Sequence, residues 1–237
     1  KAEIIVIERT GFVSYANCGL PYYVGGVIED QDDLTLQSPQ SFFSRFNIDV
    51  RVSSEVTSID RANKTVTVFS FDEGREYVES YDKLILSPGA KAMIPDTPGV
   101  YSDRVLTLRT VEDALRMREL IEEEHPERAV VVGGGFIGLE MAENLIHAGV
   151  HTTLIQLDDQ VLLPLDRDMA GEVHAYLRGQ GLDLRLSTAV TGFRRRGGRL
   201  ETLLGEREPV PADLVILAIG VAPESDLARR AGLTLGQ

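Results

Sequence analysis

The stretch Ala129-Val130-Val131-Val132-Gly133-Gly134-Gly135-Phe136-Ile137-Gly138-Leu139-Glu140-Met141-Ala142 decides the fold of this chain. Gly133, Gly135 and Gly138 form a G-x-G-x-x-G pattern, a weak signal when it stands alone. Here it follows a Val-rich run and opens a segment that predicts a helix to His147. Gly149 then breaks the chain before a second strand over residues 151–157, so a whole strand, turn, helix and strand unit is present. In such a unit Gly133 permits the tight turn, Gly135 lets the backbone approach a pyrophosphate, and Gly138 lets the helix pack closely on the sheet. Unpaired amides at the helix start hold the anion, with Phe136 and Ile137 in the cofactor-contacting turn. A glycine turn without ligand is the alternative reading.

Composition narrows the classes. A formal net charge of −13 leaves no basic face for nucleic acid, and an anionic cofactor then depends on local backbone amides. No apolar run approaches the length of a membrane span, and no charged-then-apolar leader is present, so neither a membrane partner nor export is expected. A single cysteine in 237 residues forms no internal disulfide and fits a reducing, cytoplasmic setting. No metal centre is expected. At 43% hydrophobic the chain is an ordinary globular composition, and two domains are expected.

Outward from the glycine unit, residues 2–8 form an apolar run ending in Glu8. In a dinucleotide-binding fold this is how the second strand looks, its acid accepting hydrogen bonds from ribose hydroxyls; a buried strand ending in a solvated acid is the other reading. A first strand and a Gly-rich turn are expected to precede it, so the chain is expected to extend at both ends. An acidic linker covers residues 28–33, and Ser38 caps a helix through Phe46 with Pro39 in its first turn. Strands over residues 48–52, 55–60 and 65–71 read as a meander, with Ala62-Asn63-Lys64 as a turn. An apolar strand over residues 81–86 stops at Ser87-Pro88-Gly89-Ala90. Breakers over residues 93–99 mark a boundary. Thr110 caps a helix with Asp113 at its third position, and Glu122-Glu123-Glu124 reads as a solvated face. Residues 168–179 read as a helix, 182–186 as a strand and 193–204 as a hairpin turning at Gly197-Gly198, with a last apolar strand over 214–218.

The lone cysteine lies in Ser14-Tyr15-Ala16-Asn17-Cys18-Gly19-Leu20-Pro21-Tyr22-Tyr23-Val24-Gly25-Gly26. Its Asn, Gly and Pro neighbours read as a turn. If Gly19-Leu20-Pro21 opens a helix, unpaired N–H groups lie near the thiol and favour the nucleophilic thiolate; the alternative is a small buried hydrophobe. The stretch resembles the active-site segment of the coenzyme A-disulfide reductase and NADH oxidase branch of the flavin-dependent pyridine nucleotide-disulfide oxidoreductases. Dithiol members of that superfamily carry a second cysteine five positions on, where this chain has Tyr23. The resemblance therefore implies single-cysteine chemistry at Cys18, through a mixed disulfide or a sulfenic acid. It implies that Ser14 and Asn17 line the thiol-substrate pocket. It also implies that Ser87, Pro88, Gly89 and Ala90 return to the flavin, and that Gly220, in Ile219-Gly220-Val221-Ala222-Pro223, lies at the exit from the nicotinamide domain.

The fold class expected is α/β, with two Rossmann-like, three-layer ββα dinucleotide-binding domains, the first incomplete. Residues 1–104 are expected to form part of an FAD-binding domain with the redox-active cysteine, 105–223 an NAD(P)-binding domain, and 224–237 the start of the return to the first. The cofactors implied are FAD with NADH or NADPH. Gln156 occupies the ribose position where the family commonly has Glu; it still hydrogen-bonds a 2′-hydroxyl but does not repel a 2′-phosphate. Asp158 and Asp159 follow, without Arg or Lys, and tilt the reading to NADH. Glu140 reads as pointing into the nicotinamide site, or equally as an exposed first-turn residue. The function implied is electron transfer from NAD(P)H through FAD to Cys18 and on to a disulfide, persulfide or polysulfide such as coenzyme A disulfide. Oxygen reduction through a sulfenic acid, and a non-catalytic dinucleotide-binding redox sensor, are the alternatives. A homodimer is implied, through a domain outside this chain.

Overall fold

The computed structural model describes residues 2–236; Lys1 and Gln237, at the outer ends of the expected first and last segments, lie outside the described residues. Two compact units are present. The first holds the chain up to Ala16, Thr35–Lys91 and the chain from Pro223; the second holds Asn17–Leu34 and Ala92–Ala222.

The second unit is built on five parallel strands in the order Asp183–Arg185, His151–Ile155, Arg128–Val132, Leu214–Leu217 and Val105–Thr107. Strands covered on both faces need apolar residues at nearly every position, and Ala129, Val130 and Val131 and the whole of Leu214–Leu217 are buried. One face, with Val130, Ile155 and Val215, packs on Phe193, Leu200 and Val210 of a three-stranded antiparallel sheet, Gly192–Arg196, Arg199–Leu204 and Arg207–Ala212. The helix Phe136–His147 packs on the strands Arg128–Val132 and His151–Ile155. The unit is thus the expected three-layer α/β architecture around a parallel sheet. Its third antiparallel strand, which the sequence analysis did not predict, carries Pro209 and Pro211 and lies at the sheet edge, where missing amides are tolerated.

The Cys18 segment packs in this second unit, whereas the sequence reading grouped it with residues 1–104. The reason is apolar burial. The helix Leu20–Val24 lies against the helices Val111–Glu124 and Phe136–His147, and its Leu20 and Val24 are fully buried. Burying two such side chains contributes about 1.5–3 kcal/mol each. Helix Val111–Glu124 starts where expected, with Thr110 accepting from the Asp113 amide in a capping box.

In the first unit Ile4–Ile7 pairs in parallel with Ile48–Arg51. The latter was expected in the meander. The meander is instead Ser54–Asp60, Thr65–Ser70 and Arg75–Ser80, whose last strand carries charges at both ends and shows little apolar alternation. Helix Pro39–Phe46 is capped by Ser38, with Ser41 completing the capping box. The expected strand over residues 81–86 does not form. No strand pairs with it among the described residues, and Ile85 is 87% exposed; an apolar run becomes a strand only when its backbone finds a ladder partner.

Candidate functional site

The glycine turn connects Arg128–Val132 to the helix Phe136–His147. Gly133 has φ +110°, and a Cβ there would stand 2.4 Å from the Ala218 carbonyl oxygen. A Cβ on Gly138 would stand 1.9 Å from the Gly133 carbonyl oxygen. Both positions exclude any side chain, one by backbone conformation and contact, the other by contact alone. The Gly134 peptide is held from both sides: its N–H donates to Gln156 Oε1 at 2.8 Å, and its carbonyl accepts from the Leu162 N–H at 2.8 Å. Gly135 differs. It is exposed, a Cβ there meets nothing within 4 Å, and no side chain caps the helix it begins. The turn is therefore rigid at Gly133 and Gly134 and open at Gly135, where free helix amides meet an uncluttered surface that fits a pyrophosphate. Phe136, 69% exposed, and Ile137 flank that opening.

Gln156 follows the second strand, His151–Ile155, and is 8% exposed. Its amide works at both ends, accepting from Gly134 and donating through Nε2 to Asp158 Oδ2 at 2.9 Å. The loop that follows folds back over the turn. Gln160 donates to the Leu165 carbonyl at 2.9 Å, and the Val161 N–H donates to His174 Nε2 at 3.1 Å. Nothing in the sequence marked His174, since a lone histidine on a helix face has no local signal. Glu140 lies beyond the first turn of its helix and is half-buried, so it is not the exposed first-turn residue; burial, with Glu143 beside it, pushes its carboxyl up from the usual value. Gly220 is exposed with φ +122°, and its carbonyl accepts from the Met93 N–H at 3.0 Å.

Cys18 is free and exposed in a tight turn, Asn17–Gly19, that leads into Leu20–Val24 with Pro21 in its first turn. Exposure removes the buried-hydrophobe reading. The helix is only five residues long, so the field expected at the thiol is that of one short turn. The segment is held tightly. A Cβ on Gly25 would stand 2.6 Å from Asn144 Cβ, and Arg118 donates to the Tyr23 carbonyl at 3.1 Å while lying over the Tyr23 ring. Arg109 Nη1 reaches Asn17 Oδ1 at 3.4 Å.

The family model described as pyridine nucleotide-disulphide oxidoreductase matches residues 1–237. The chain belongs to that family. Coenzyme A disulfide reductase of Staphylococcus aureus (strain JH9) is 33% identical over 235 residues, 99% of this chain and 52% of that protein. NADH oxidase of Methanocaldococcus jannaschii is 34% identical over 236 residues, again 99% and 52%. The crystal structure of reduced Bacillus anthracis CoADR-RHD superposes with a TM-score of 0.95 at 43% identity, covering 99% of this chain and 42% of that one. The chain thus spans about half the length of the curated relatives it matches.

The remaining candidate residues lie in the first unit. Glu8 closes the strand Ile4–Ile7, and its carboxylate accepts from both the N–H and the hydroxyl of Thr10 at 2.8 Å. Ser14 sits in a two-residue strand opposite Gln37. Ser87, Pro88 and Gly89 are exposed, Gly89 with φ +73° and its carbonyl accepting from the Glu224 N–H at 2.9 Å; Ala90 is half-buried. The tertiary contacts that bring candidates together are therefore those of the glycine turn, Gln156 and Asp158, and separately those of Asn17 with Arg109. Among the described residues no helix is long and apolar enough to cross a membrane.

Proposed function

We propose that the full-length protein is a flavin-dependent oxidoreductase that passes electrons from a nicotinamide dinucleotide to Cys18 and reduces a low-molecular-weight disulfide of the coenzyme A type. The observation that carries this reading is an exposed, lone cysteine on a turn anchored against the helix that begins at the open glycine turn. The relatives named coenzyme A disulfide reductase support the substrate class. NAD(P)H and FAD, when bound, supply the hydride and relay two electrons.

In the protein's part of the cycle, the Cys18 thiolate attacks one sulfur of the substrate disulfide and releases the first thiolate, leaving a mixed disulfide on Cys18. Two electrons then break that bond, returning the Cys18 thiolate and releasing the second substrate thiol with a proton from solvent. Asn17, held by Arg109, and Ser14 are assigned to orient the substrate. Glu140 is assigned to the nicotinamide end because a half-buried carboxyl with a displaced pKa is costly unless it serves a site. Gly133, Gly135, Phe136, Ile137, Gly138 and Gly220 hold the dinucleotide, and Glu8 with Ser87, Pro88, Gly89 and Ala90 contact FAD.

The relative named NADH oxidase favours a second reading, oxygen reduction with Cys18 cycling through a sulfenic acid. One experiment separates them. Purified full-length protein should show a flavin spectrum, and under anaerobic conditions NADH consumption should require coenzyme A disulfide and yield two thiols per NADH. Turnover only with oxygen moves the assignment to the oxidase, and a colourless protein removes both.

A further inference from the structure

At the end of the parallel sheet away from the glycine turn, the second unit holds a cavity of about 360 Å³. It lies where three strands begin, lined by Arg104 ahead of Val105–Thr107, Glu127 ahead of Arg128–Val132 and Asp213 ahead of Leu214–Leu217. Two of its cations are fixed by ion pairs, Arg104 by Glu124 at 2.6 Å and Arg195 by Asp103 at 2.5 Å. The third, Arg199, belongs to a hairpin that sets Arg194, Arg195, Arg196 and Arg199 within six positions of a chain whose net charge is −13. Its turn at Gly197-Gly198 places Arg196 directly opposite Arg199. Like charges facing each other across an antiparallel pair are destabilising, and an anion bound beside them offsets that repulsion.

We infer that this cavity binds the phosphate group of a small sugar phosphate, at a site separate from the glycine turn and independent of how that turn is read. Guanidinium groups stay charged at every physiological pH and present paired N–H donors that match phosphate oxygens. The carboxylates of the lining do not close the site to an anion. Glu124 is engaged by Arg104, and Asp213 accepts from the N–H groups of Glu127 and Arg128 at 2.9 Å each. Glu127 is exposed, an acceptor for hydroxyls on the body of the ligand. The volume falls within the roughly 300–1,000 Å³ of small-molecule sites, which leaves room for that body beside the phosphate.

The test is calorimetric titration of the full-length protein with glucose 6-phosphate and with inorganic phosphate, at constant ionic strength set by sodium chloride so that general screening is equal in every run. Arg199→Gln should weaken binding of both about tenfold through loss of charge-assisted contacts. Because it removes one of two facing like charges, it should not lower the unfolding midpoint in the absence of phosphate. Arg194→Gln removes an equal charge from the same hairpin, but Arg194 is engaged by Glu201 at 2.7 Å and does not line the cavity, so affinity should stay within about twofold. Tighter binding of glucose 6-phosphate than of inorganic phosphate supports the sugar phosphate; equal or weaker binding overturns it and leaves the free ion as the occupant. No binding of either probe, affinity unmoved in Arg199→Gln, or equal weakening in Arg194→Gln overturns the site. Binding lost in Gly135→Ala but kept in Arg199→Gln would place the phosphate on the glycine turn instead.

Discussion

The backbone N–H of Val161 donates to Nε2 of His174 at 3.1 Å, across a loop that also sends the Leu162 N–H to the Gly134 carbonyl. This bond requires a neutral imidazole, because a protonated Nε2 has no lone pair to offer. Burial, then the nearby Arg178, hold the His174 pKa below its ordinary value, against a weaker pull from Asp159.

A pH dependence follows, with its sign set by that depression. Between the folded value and the unfolded value near 6.5 the unfolded chain binds more protons, so stability rises with pH through this window. The contribution is fully present above the unfolded value and is lost as pH falls through the folded one. Thermal midpoints measured from about pH 8 to about pH 5 should decline on the acid side, and His174→Gln, which accepts through its amide oxygen but does not titrate, should flatten that decline. An identical slope in the variant would assign the acid sensitivity elsewhere.

Two of the glycine positions, Gly135 and Gly138, should separate stability from binding. Gly138→Ala drives a methyl into the Gly133 carbonyl oxygen and should cost about 1–3 kcal/mol in chemical unfolding. Gly135→Ala meets no atom and should stay within about 0.5 kcal/mol of wild type. Its added methyl stands in the opening proposed to receive the pyrophosphate, so calorimetric affinity for NADH should fall while the unfolding curve does not move.

Gln156→Glu should destabilise this chain. The new carboxylate still accepts from Gly134 but faces Asp158 at the distance now spanned by a hydrogen bond. Burial and the like charge raise the folded pKa of the introduced acid, so its cost is greatest at neutral pH and relaxes as pH falls. The midpoint difference from wild type should therefore be larger at about pH 8 than at about pH 5, by an amount corresponding to roughly 1 kcal/mol.

Cys18→Ser in the full-length protein should abolish disulfide reduction while NADH still bleaches the flavin absorbance in stopped flow, because in the proposed cycle the thiolate takes part in the reaction with the disulfide and not in the transfer of hydride to the flavin. Since Cys18 is exposed, the substitution should leave the unfolding midpoint nearly unchanged. Loss of both half-reactions in a folded variant would place Cys18 outside the electron path.

The sequence by itself determined what depends on neighbours along the chain. The strand, glycine turn and helix through residues 129–147, the capping boxes at Ser38 and Thr110, and the hairpin at Gly197-Gly198 all arise from period, cap chemistry and backbone freedom, which act over a few residues. The turn that holds Cys18 was legible for the same reason. Tertiary structure alone decided which way Gln156 faces, because its partner Gly134 is 22 positions away, and whether His174 is a surface residue or a latch, because Val161 reaches it from another segment. It also decided that Cys18 packs in the second unit, where Gly25 leaves room for Asn144, and that residues 81–86 form no strand among the described residues despite their apolar pattern. Burial and hydrogen bonding between distant segments are settled by which surfaces meet, and no local pattern carries that information.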